Sequence, residues 1–448
     1  MGLGEKAVAW WKNVDKKNLV ILLLIFILGF AVRAHLMKYD LMFGFDSYFH
    51  ARITGYVIED FAVPEFDPIG YYQEGGAPLP SNVAFFWYFC AVLYKVFTLG
   101  APYNKELWIF FVKLLPALFG AAISAAMFLL GKEAYSKKAG IAMGVFAAVV
   151  PAFVYRTMSG FFEEDALGFL WMVLGFYFLI KVVKNPVWNK EKIMYAMASG
   201  VLFGLMAMTW RMFLLVPLVL VFYFILTVGI MPLRKVSKTT IFNFTKLFAI
   251  AFILFAVIAT VNNGTGWIDQ SYNYVAKYAP ISPDNIDRIS TKTGGVIKQT
   301  VGEENLGNLF FANKYNILIL FALAGFFLFP YHMFRNKKDY YSLIFFFWLL
   351  FTFVMAWSKL KFTYTLGLPI AAGAGIVFHE AFNFMKNRTG FEKKFLGLAL
   401  GFMVLCGVGI GSFFVTEQIP TIEQEPKWVE AMDWMANETP ADAKFFNW

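Results

Sequence analysis

Apolar runs long enough to cross a bilayer recur along this chain, and that recurrence limits its fold more than any other feature. Runs of roughly 18 to 25 apolar residues, the length a helix needs to span hydrocarbon, fall near 18–38, 107–131, 139–155, 166–184, 193–209, 212–230, 241–261, 314–331, 340–357, 362–382 and 395–416. With 59% hydrophobic and only 15% charged residues, the chain is too apolar for a water-soluble globule. The expectation is an all-α polytopic membrane protein of about eleven transmembrane helices.

The net charge of +9 does not read as a nucleic-acid footprint. Lysines and arginines gather in alternate short loops: Lys12, Lys16 and Lys17; Lys132, Lys137 and Lys138; Lys184, Lys190 and Lys192; Arg234, Lys235 and Lys238; Arg335, Lys337 and Lys338; Lys386, Arg388, Lys393 and Lys394. Such alternation is positive-inside topology, with the bilayer as the partner and no nucleic acid implied. Cys90 and Cys406 lie in different apolar segments, so neither a disulfide framework nor a cysteine metal site is indicated. The segment before the first run, with Trp10, Trp11 and several lysines, reads as a retained amphipathic lead-in.

One apolar stretch, "SNVAFFWYFCAVLYKVFTLG" (81–100), breaks the alternation if it is counted as a span. Placed in an outer loop, in the interface or against the bundle, it leaves every basic loop cytoplasmic. Residues 39–106, 156–165, 262–313, 357–361 and 417–448 then face outward. The inner loops are short and basic; the outer ones are long and acidic. The work is therefore expected on the outer face of a multi-pass cell-membrane protein, or on the lumenal face of the endoplasmic reticulum in a eukaryote. Loop 262–313 is too long and polar for a connector and is expected to act as a partly mobile lid.

Three acidic elements stand in those loops. "GFDSYFHAR" opens the first, and its Asp46 reads equally as an interfacial aspartate in a turn or as part of a site. "RTMSGFFEEDALGF" carries Glu163, Glu164 and Asp165 beside Arg156. Glu163 and Asp165, two apart, share a side of an extended segment, with a helix expected just after Asp165 and Gly160 allowing the preceding turn to bend. Asp165 as a helix cap accounts for one acid and not for three. Carboxylates clustered at the rim of a bilayer repel one another and lose hydration, so a cation explains them best. Oxygen-only ligands favour a hard ion, Mg²⁺ or Mn²⁺. His50, a lone histidine near Asp46, is expected to be a polar contact. The third element, "KQTVGEENLG", holds Glu303, which by itself reads as solvated surface. "SKLKFTYTLGLP" places Lys359 and Lys361 at an outer helix start, where snorkelling is the bland reading.

In this order the elements resemble the catalytic subunit of oligosaccharyltransferase in its archaeal and bacterial single-subunit forms. "GFD" ending at Asp46 looks like the first acidic motif of that family, "RTMSGFFEED" like its second, "TVGE" (300–303) like its loop glutamate motif, and "ANETPADAKFFNW" like the lead-in to its WWDYG signature, with Trp448 as the first tryptophan. The resemblance implies a membrane glycosyltransferase C-type fold, usually of about thirteen spans. It implies transfer of an oligosaccharide from a polyprenyl (dolichyl) phosphate or diphosphate carrier to the asparagine of Asn-x-Ser/Thr acceptors. By the same resemblance Asp46 and Glu303 hold the acceptor amide, Asp46, Glu163 and Asp165 hold Mn²⁺ or Mg²⁺, and Arg156, Lys361 and Trp448 contact substrate.

Three departures stand beside it. Glu163 occupies a position where aspartate is common, a helical hairpin between 185 and 261 is unaccounted for, and the signature stops at Trp448. The expected organisation is a transmembrane catalytic domain over 1–416, with outer loops 39–106 and 262–313, followed at 417–448 by the start of an incomplete outer soluble domain. Competing readings are another polyprenyl-phosphate glycosyltransferase, of the O-mannosyl or lipid-modifying type, and a secondary transporter, which would place ionisable sites at mid-membrane.

Overall fold

The structure is a computed structural model that describes residues 15–67, 77–79, 83–278, 315, 318–336, 339–358, 360–386, 388–416, 426–440 and 443. Helices begin where the sequence supplies caps. Asp15 accepts from the Lys17 and Asn18 N–H groups at the start of α1 (Lys16–Ala34). Asn104 and Ser136 do the same for α4 (Lys105–Ala134) and α5 (Lys137–Val149). Asn189 caps α8 (Lys190–Thr209) and Ser237 caps α10 (Lys238–Asn263). Each side-chain oxygen satisfies a backbone donor that the helix itself leaves open.

The remaining helices are α2 (Phe45–Asp60), α3 (Ala84–Phe97), α6 (Pro151–Tyr155), α7 (Asp165–Val183), α9 (Leu215–Leu233), α11 (Trp267–Tyr278), α12 (Ile319–Arg335), α13 (Ser342–Ser358), α14 (Gly367–Lys386), α15 (Gly390–Thr416) and α16 (Pro426–Glu438). A helix thus stands at each expected apolar run. Seven segments among the described residues are long and apolar enough to cross a membrane, from Lys16–Lys38 to Phe362–Lys386. The chain is an all-α, multi-pass membrane protein.

The run at 139–155 is not one helix. Val150 adopts ψ 113°, because proline at 151 disfavours the α conformation in the residue before it. The helix therefore stops at Val149 and a new one, α6, starts at Pro151, which redirects the chain toward Arg156.

Helix α3 is the stretch that breaks the charge alternation. Its 14 residues reach about 21 Å, short of a bilayer's ~30 Å hydrocarbon. It packs on α2, and Trp87, Cys90 and Tyr94 bury against Ile53, Val57, Trp108 and Phe111 of α2 and α4. A two-residue antiparallel ladder, β1 (Phe66–Asp67) on β2 (Ala77–Pro78), closes the loop between α2 and α3. The larger core runs through α4, α5, α7 to α10 and α12 to α15. In it α8 packs on α7 and α10, while α5 packs on α4 and α14. Of loop 262–313, Asn262 and Asn263 end α10 and residues 267–278 form α11, whose Trp267 indole donates to Thr260 Oγ1 at 3.0 Å.

Candidate active site

Two loops distant in sequence are tied backbone to backbone. The Phe43 N–H donates to the Gly160 carbonyl at 2.8 Å, and the Phe162 N–H donates to the Ser47 hydroxyl oxygen at 2.9 Å. The Ser47 hydroxyl in turn donates to the Phe43 carbonyl at 2.8 Å. Gly160 must be glycine here: its φ is +84°, and a Cβ would sit 3.2 Å from the Phe43 nitrogen. Gly44, with φ +88°, opens α2, and a Cβ on it would lie 3.6 Å from Glu163 Oε1. Asp46 follows in the first turn, where the helix N-terminus favours a carboxylate. The two acidic motifs are therefore neighbours.

Glu163 and Asp165 are largely buried, their side chains 12% and 6% exposed, and Arg156 lies between them. Its Nη1 is 2.6 Å from Glu163 Oε2 and 3.6 Å from Asp165 Oδ2. The guanidinium also packs over the Phe161 and Tyr364 rings, 4.7 and 4.9 Å from their centroids. The Tyr364 hydroxyl donates to Asp165 Oδ1 at 3.4 Å. Burial pushes the Glu163 carboxyl up to about 8, against the pull of Arg156 and with the push of Asp165, Glu164 and Asp46.

Glu164 has its own partner. His50 Nε2 stands 3.1 Å from Glu164 Oε2, while the Trp87 indole donates to His50 Nδ1 at 2.9 Å. A nitrogen that accepts from Trp87 carries no proton, so the imidazole proton is on Nε2 and points at Glu164. Although burial alone would raise Glu164, the hydrogen bond from His50 holds it below the usual carboxylate range. His50 is thus the polar contact expected of it, with a partner 114 residues away that sequence proximity to Asp46 does not suggest.

Behind the site lie two buried cations. Arg33, fully buried in α1, donates to Thr157 Oγ1 at 2.7 Å and to the carbonyls of Gly29, Ala148 and Ala147 at 2.9, 3.1 and 3.2 Å. Ala147 and Ala148 immediately precede the Val150 break, so Arg33 satisfies carbonyls that the interrupted helix leaves open. Lys113, in the middle of α4, is buried and donates to the Tyr39 carbonyl. Neither residue's role is legible from hydropathy, because the oxygens of Thr157, Ala147 and Ala148 for Arg33, and of Tyr39 for Lys113, come from segments remote in sequence.

Arg156 joins Glu163 and Asp165, and Asp46 lies near enough to Glu163 for its charge to raise that carboxyl, although among the described residues the ligand atoms of Asp46, Glu163 and Asp165 do not all lie within 4.8 Å of one another. Glu303 and Trp448 lie outside the described residues, as does the side chain of Lys361. The backbone of Lys361 belongs to the 3-10 segment Leu360–Leu366, the segment that also delivers Tyr364, which the sequence did not single out. The acids fit a divalent cation in kind: every donor is a carboxylate oxygen. Glu163 and Asp165 share one fixed cation, Arg156, and Asp46 adds its charge beside Glu163, so ionising all three acids would call for a further positive charge. Among the described residues, a set of three metal-ligating atoms within 4.8 Å of one another occurs elsewhere, at His332, His379 and Glu380.

With the fold and the paired motifs in place, the sequence model described as "Oligosaccharyl transferase STT3, N-terminal" matches residues 18–409. The chain belongs to the STT3 family. The Archaeoglobus fulgidus dolichyl-phosphooligosaccharide-protein glycotransferase 3 is 20% identical over 90% of this chain and 55% of its own length. The rice dolichyl-diphosphooligosaccharide–protein glycosyltransferase subunit STT3A is 26% identical over 42% of this chain and 24% of its own. In structure, the apo Archaeoglobus fulgidus oligosaccharyltransferase superposes over 97% of this chain and 59% of its own with a TM-score of 0.70 and 16% identity. The same archaeal enzyme in complex with an inhibitory peptide and a dolichol-phosphate gives 0.70 over 96% of this chain. These likenesses make the fold a polytopic membrane glycosyltransferase fold of the C type. The chain spans about half the length, or less, of the curated relatives it matches.

Proposed function

We propose that this STT3-family chain forms the membrane-embedded catalytic part of an enzyme that transfers an oligosaccharide from a polyprenyl (dolichyl) phosphate or diphosphate carrier to the asparagine of Asn-x-Ser/Thr acceptors. The reaction takes place on the outer face of the membrane. The observation that carries the reading is the juxtaposition of Asp46 with Glu163, enforced by the Ser47–Phe162 and Phe43–Gly160 hydrogen bonds. Support comes from the archaeal neighbours, one described with a dolichol-phosphate and one tethered to an acceptor peptide containing an NVT sequon.

An asparagine amide is a poor nucleophile because its nitrogen lone pair is delocalised into the carbonyl. Asp46 and Glu303, each accepting one of its two N–H hydrogens, weaken that conjugation and hold the nitrogen in line with the anomeric carbon. Asp46, Glu163 and Asp165 would hold a divalent ion, Mn²⁺ or Mg²⁺, which supplies neutralising charge at the leaving phosphate when bound. Arg156 and Lys361 meet the phosphate oxygens, the first as a planar fork, the second as a point charge. Trp448 contributes to acceptor binding. Arg156 lies on Glu163 and Asp165 and would be free to meet the phosphate if a divalent ion neutralised these carboxylates in its place.

Membranes bearing the protein, mixed with lipid-linked oligosaccharide and a fluorescent Asn-x-Thr peptide, test this directly. Glycopeptide formation that requires Mn²⁺ or Mg²⁺ and disappears on Asp46→Ala is the expected result. Transfer undiminished by Asp46→Ala overturns the assignment.

A further inference from the structure

A second constellation of ligand-type side chains sits at the opposite end of the bundle. His332 lies in the last turn of α12, and His379 and Glu380 lie side by side on α14; one ligand atom from each lies within 4.8 Å of the others. The His332 and His379 rings meet edge to face with centroids 5.3 Å apart. His379 Nδ1 is 3.1 Å from the hydroxyl of Ser136, the residue that caps α5 within the basic, cytoplasmic loop 132–138. From Gly367, at the outer end of α14, to His379 is about 18 Å of helix. This cluster therefore cannot share an ion with Asp46, Glu163 and Asp165.

Its donor set also differs in kind. Two imidazoles and one carboxylate suit a borderline ion such as Zn²⁺, whereas the outer acids offer oxygen alone. A second, independent feature surrounds the first: His332 presents Nδ1 to Glu380 Oε1 at 2.6 Å and Nε2 to Asp339 Oδ2 at 3.1 Å. A histidine that binds metal through one nitrogen characteristically gives the other N–H to a carboxylate, which fixes the tautomer and raises ligand basicity. Asp339 occupies that position. Side-chain exposure is 3% at His332 and 14% at Glu380, so water competes weakly for the ion. The 2.6 Å spacing is that of a proton shared between Nδ1 and the carboxylate. An ion with bonds of about 2.0–2.2 Å would replace that proton and spread the donors to about 3.4 Å.

We propose that His332, His379 and Glu380 form a Zn²⁺-type site on the cytoplasmic side, with Asp339 as the carboxylate that orients His332. Its ligands come from α12 and α14, so the ion ties these two helices together at their inner ends. Since α14 emerges from the segment that carries Tyr364 to Asp165, the tie steadies the element that supports the outer site. The proposal does not depend on the glycosyl-transfer reading, because its readout is metal binding alone.

The test is a Zn²⁺ titration of detergent-purified, chelator-stripped protein against a chromophoric chelator near neutral pH. The protein carries Glu163→Gln and Asp165→Asn to silence the outer acids. One Zn²⁺ per chain is expected, lost on His332→Gln or His379→Gln and weakened about 10–100-fold by Asp339→Asn. X-ray absorption on the wild-type chain loaded with one equivalent of Zn²⁺ avoids any folding defect of the variants. It should report two imidazole nitrogens at about 2.0–2.1 Å. No zinc retained at micromolar concentration, binding indifferent to both histidine substitutions, or an oxygen-only shell would each overturn the site and leave His332 as an ion-paired histidine between Glu380 and Asp339.

Discussion

The Ser47 hydroxyl accepts the Phe162 backbone N–H at 2.9 Å, and through that bond the residue after Asp46 grips the residue before Glu163. Ser47 is fully buried, and its hydroxyl also donates to the Phe43 carbonyl. Replacing it with alanine strands one donor and one acceptor away from water, a loss of about 1–3 kcal/mol for each buried group left unpaired. Ser47→Ala is expected to lower the thermal midpoint and to raise the Mn²⁺ concentration needed for half-maximal transfer. A melting curve and a metal titration on the same preparation check both. A variant with normal metal dependence would mean that this bond does not set the distance between the acids.

Gly160 sets the other strand of the same tie. At φ +84° an L side chain is strained by about 1–2 kcal/mol, and the added Cβ presses on the Phe43 nitrogen that bonds the Gly160 carbonyl. Gly160→Ala should therefore cost stability and most of the transfer activity, with lipid-donor binding less affected than turnover. Fluorescent donor binding measured beside initial rates separates the two.

The buried Glu163 gives metal-free protein a definite pH dependence. Its carboxyl is raised from 4.5 to about 8 by burial, opposed by Arg156. Between those values the folded chain holds a proton that the unfolded chain has released. Stability therefore falls as pH rises from about 4.5 through 8. Melting temperatures of chelator-treated protein should decline across this window. Glu163→Gln, which cannot ionise, should flatten the decline, and saturating Mn²⁺ should oppose it, since the ion binds the ionised carboxylate.

Arg156 bridges Glu163 and Asp165, and removing one partner of a buried pair leaves uncompensated charge, worth about 3–5 kcal/mol. Arg156→Met is expected to destabilise metal-free protein strongly and metal-loaded protein much less. Arg156→Lys restores charge but not the planar fork, so stability should recover more than activity. Equal recovery of both would mean that the arginine is purely structural.

Much of this was legible from residue type and spacing. Apolar runs and capping residues located the helices, and the triplet Glu163, Glu164 and Asp165 announced itself by its cost at a membrane rim. The break at Val150 was signalled by Pro151 but masked by the unbroken hydrophobicity around it. His50, Trp87 and Tyr364 were not legible as neighbours of the acids. Their partners lie 114 residues away for His50 and 199 for Tyr364, and such pairings arise from helix packing, which local pattern does not encode. The donor sets for Glu303, Lys361 and Trp448 rest on motif resemblance.

Arg33 offers the most stringent check on how the site is held from behind. It sits in the first span without a carboxylate, each hydrogen bond going to a neutral oxygen of Gly29, Ala147, Ala148 or Thr157. Its place exists because residue 120 on α4 is glycine: a Cβ there would fall 2.2 Å from Arg33 Nε and 3.0 Å from Thr157 Cβ. Gly120→Ala should thus expel the guanidinium and free Thr157, which adjoins Arg156, without altering any acid. Arg33→Met should do the same by deletion. Both are expected to lower stability and transfer together, and because they break one interaction, the double variant should be much less impaired than the sum of the two. Additive losses in a double-mutant cycle would show that Gly120 and Arg33 act separately and that the arginine does not brace the loop that carries Arg156 and the acids.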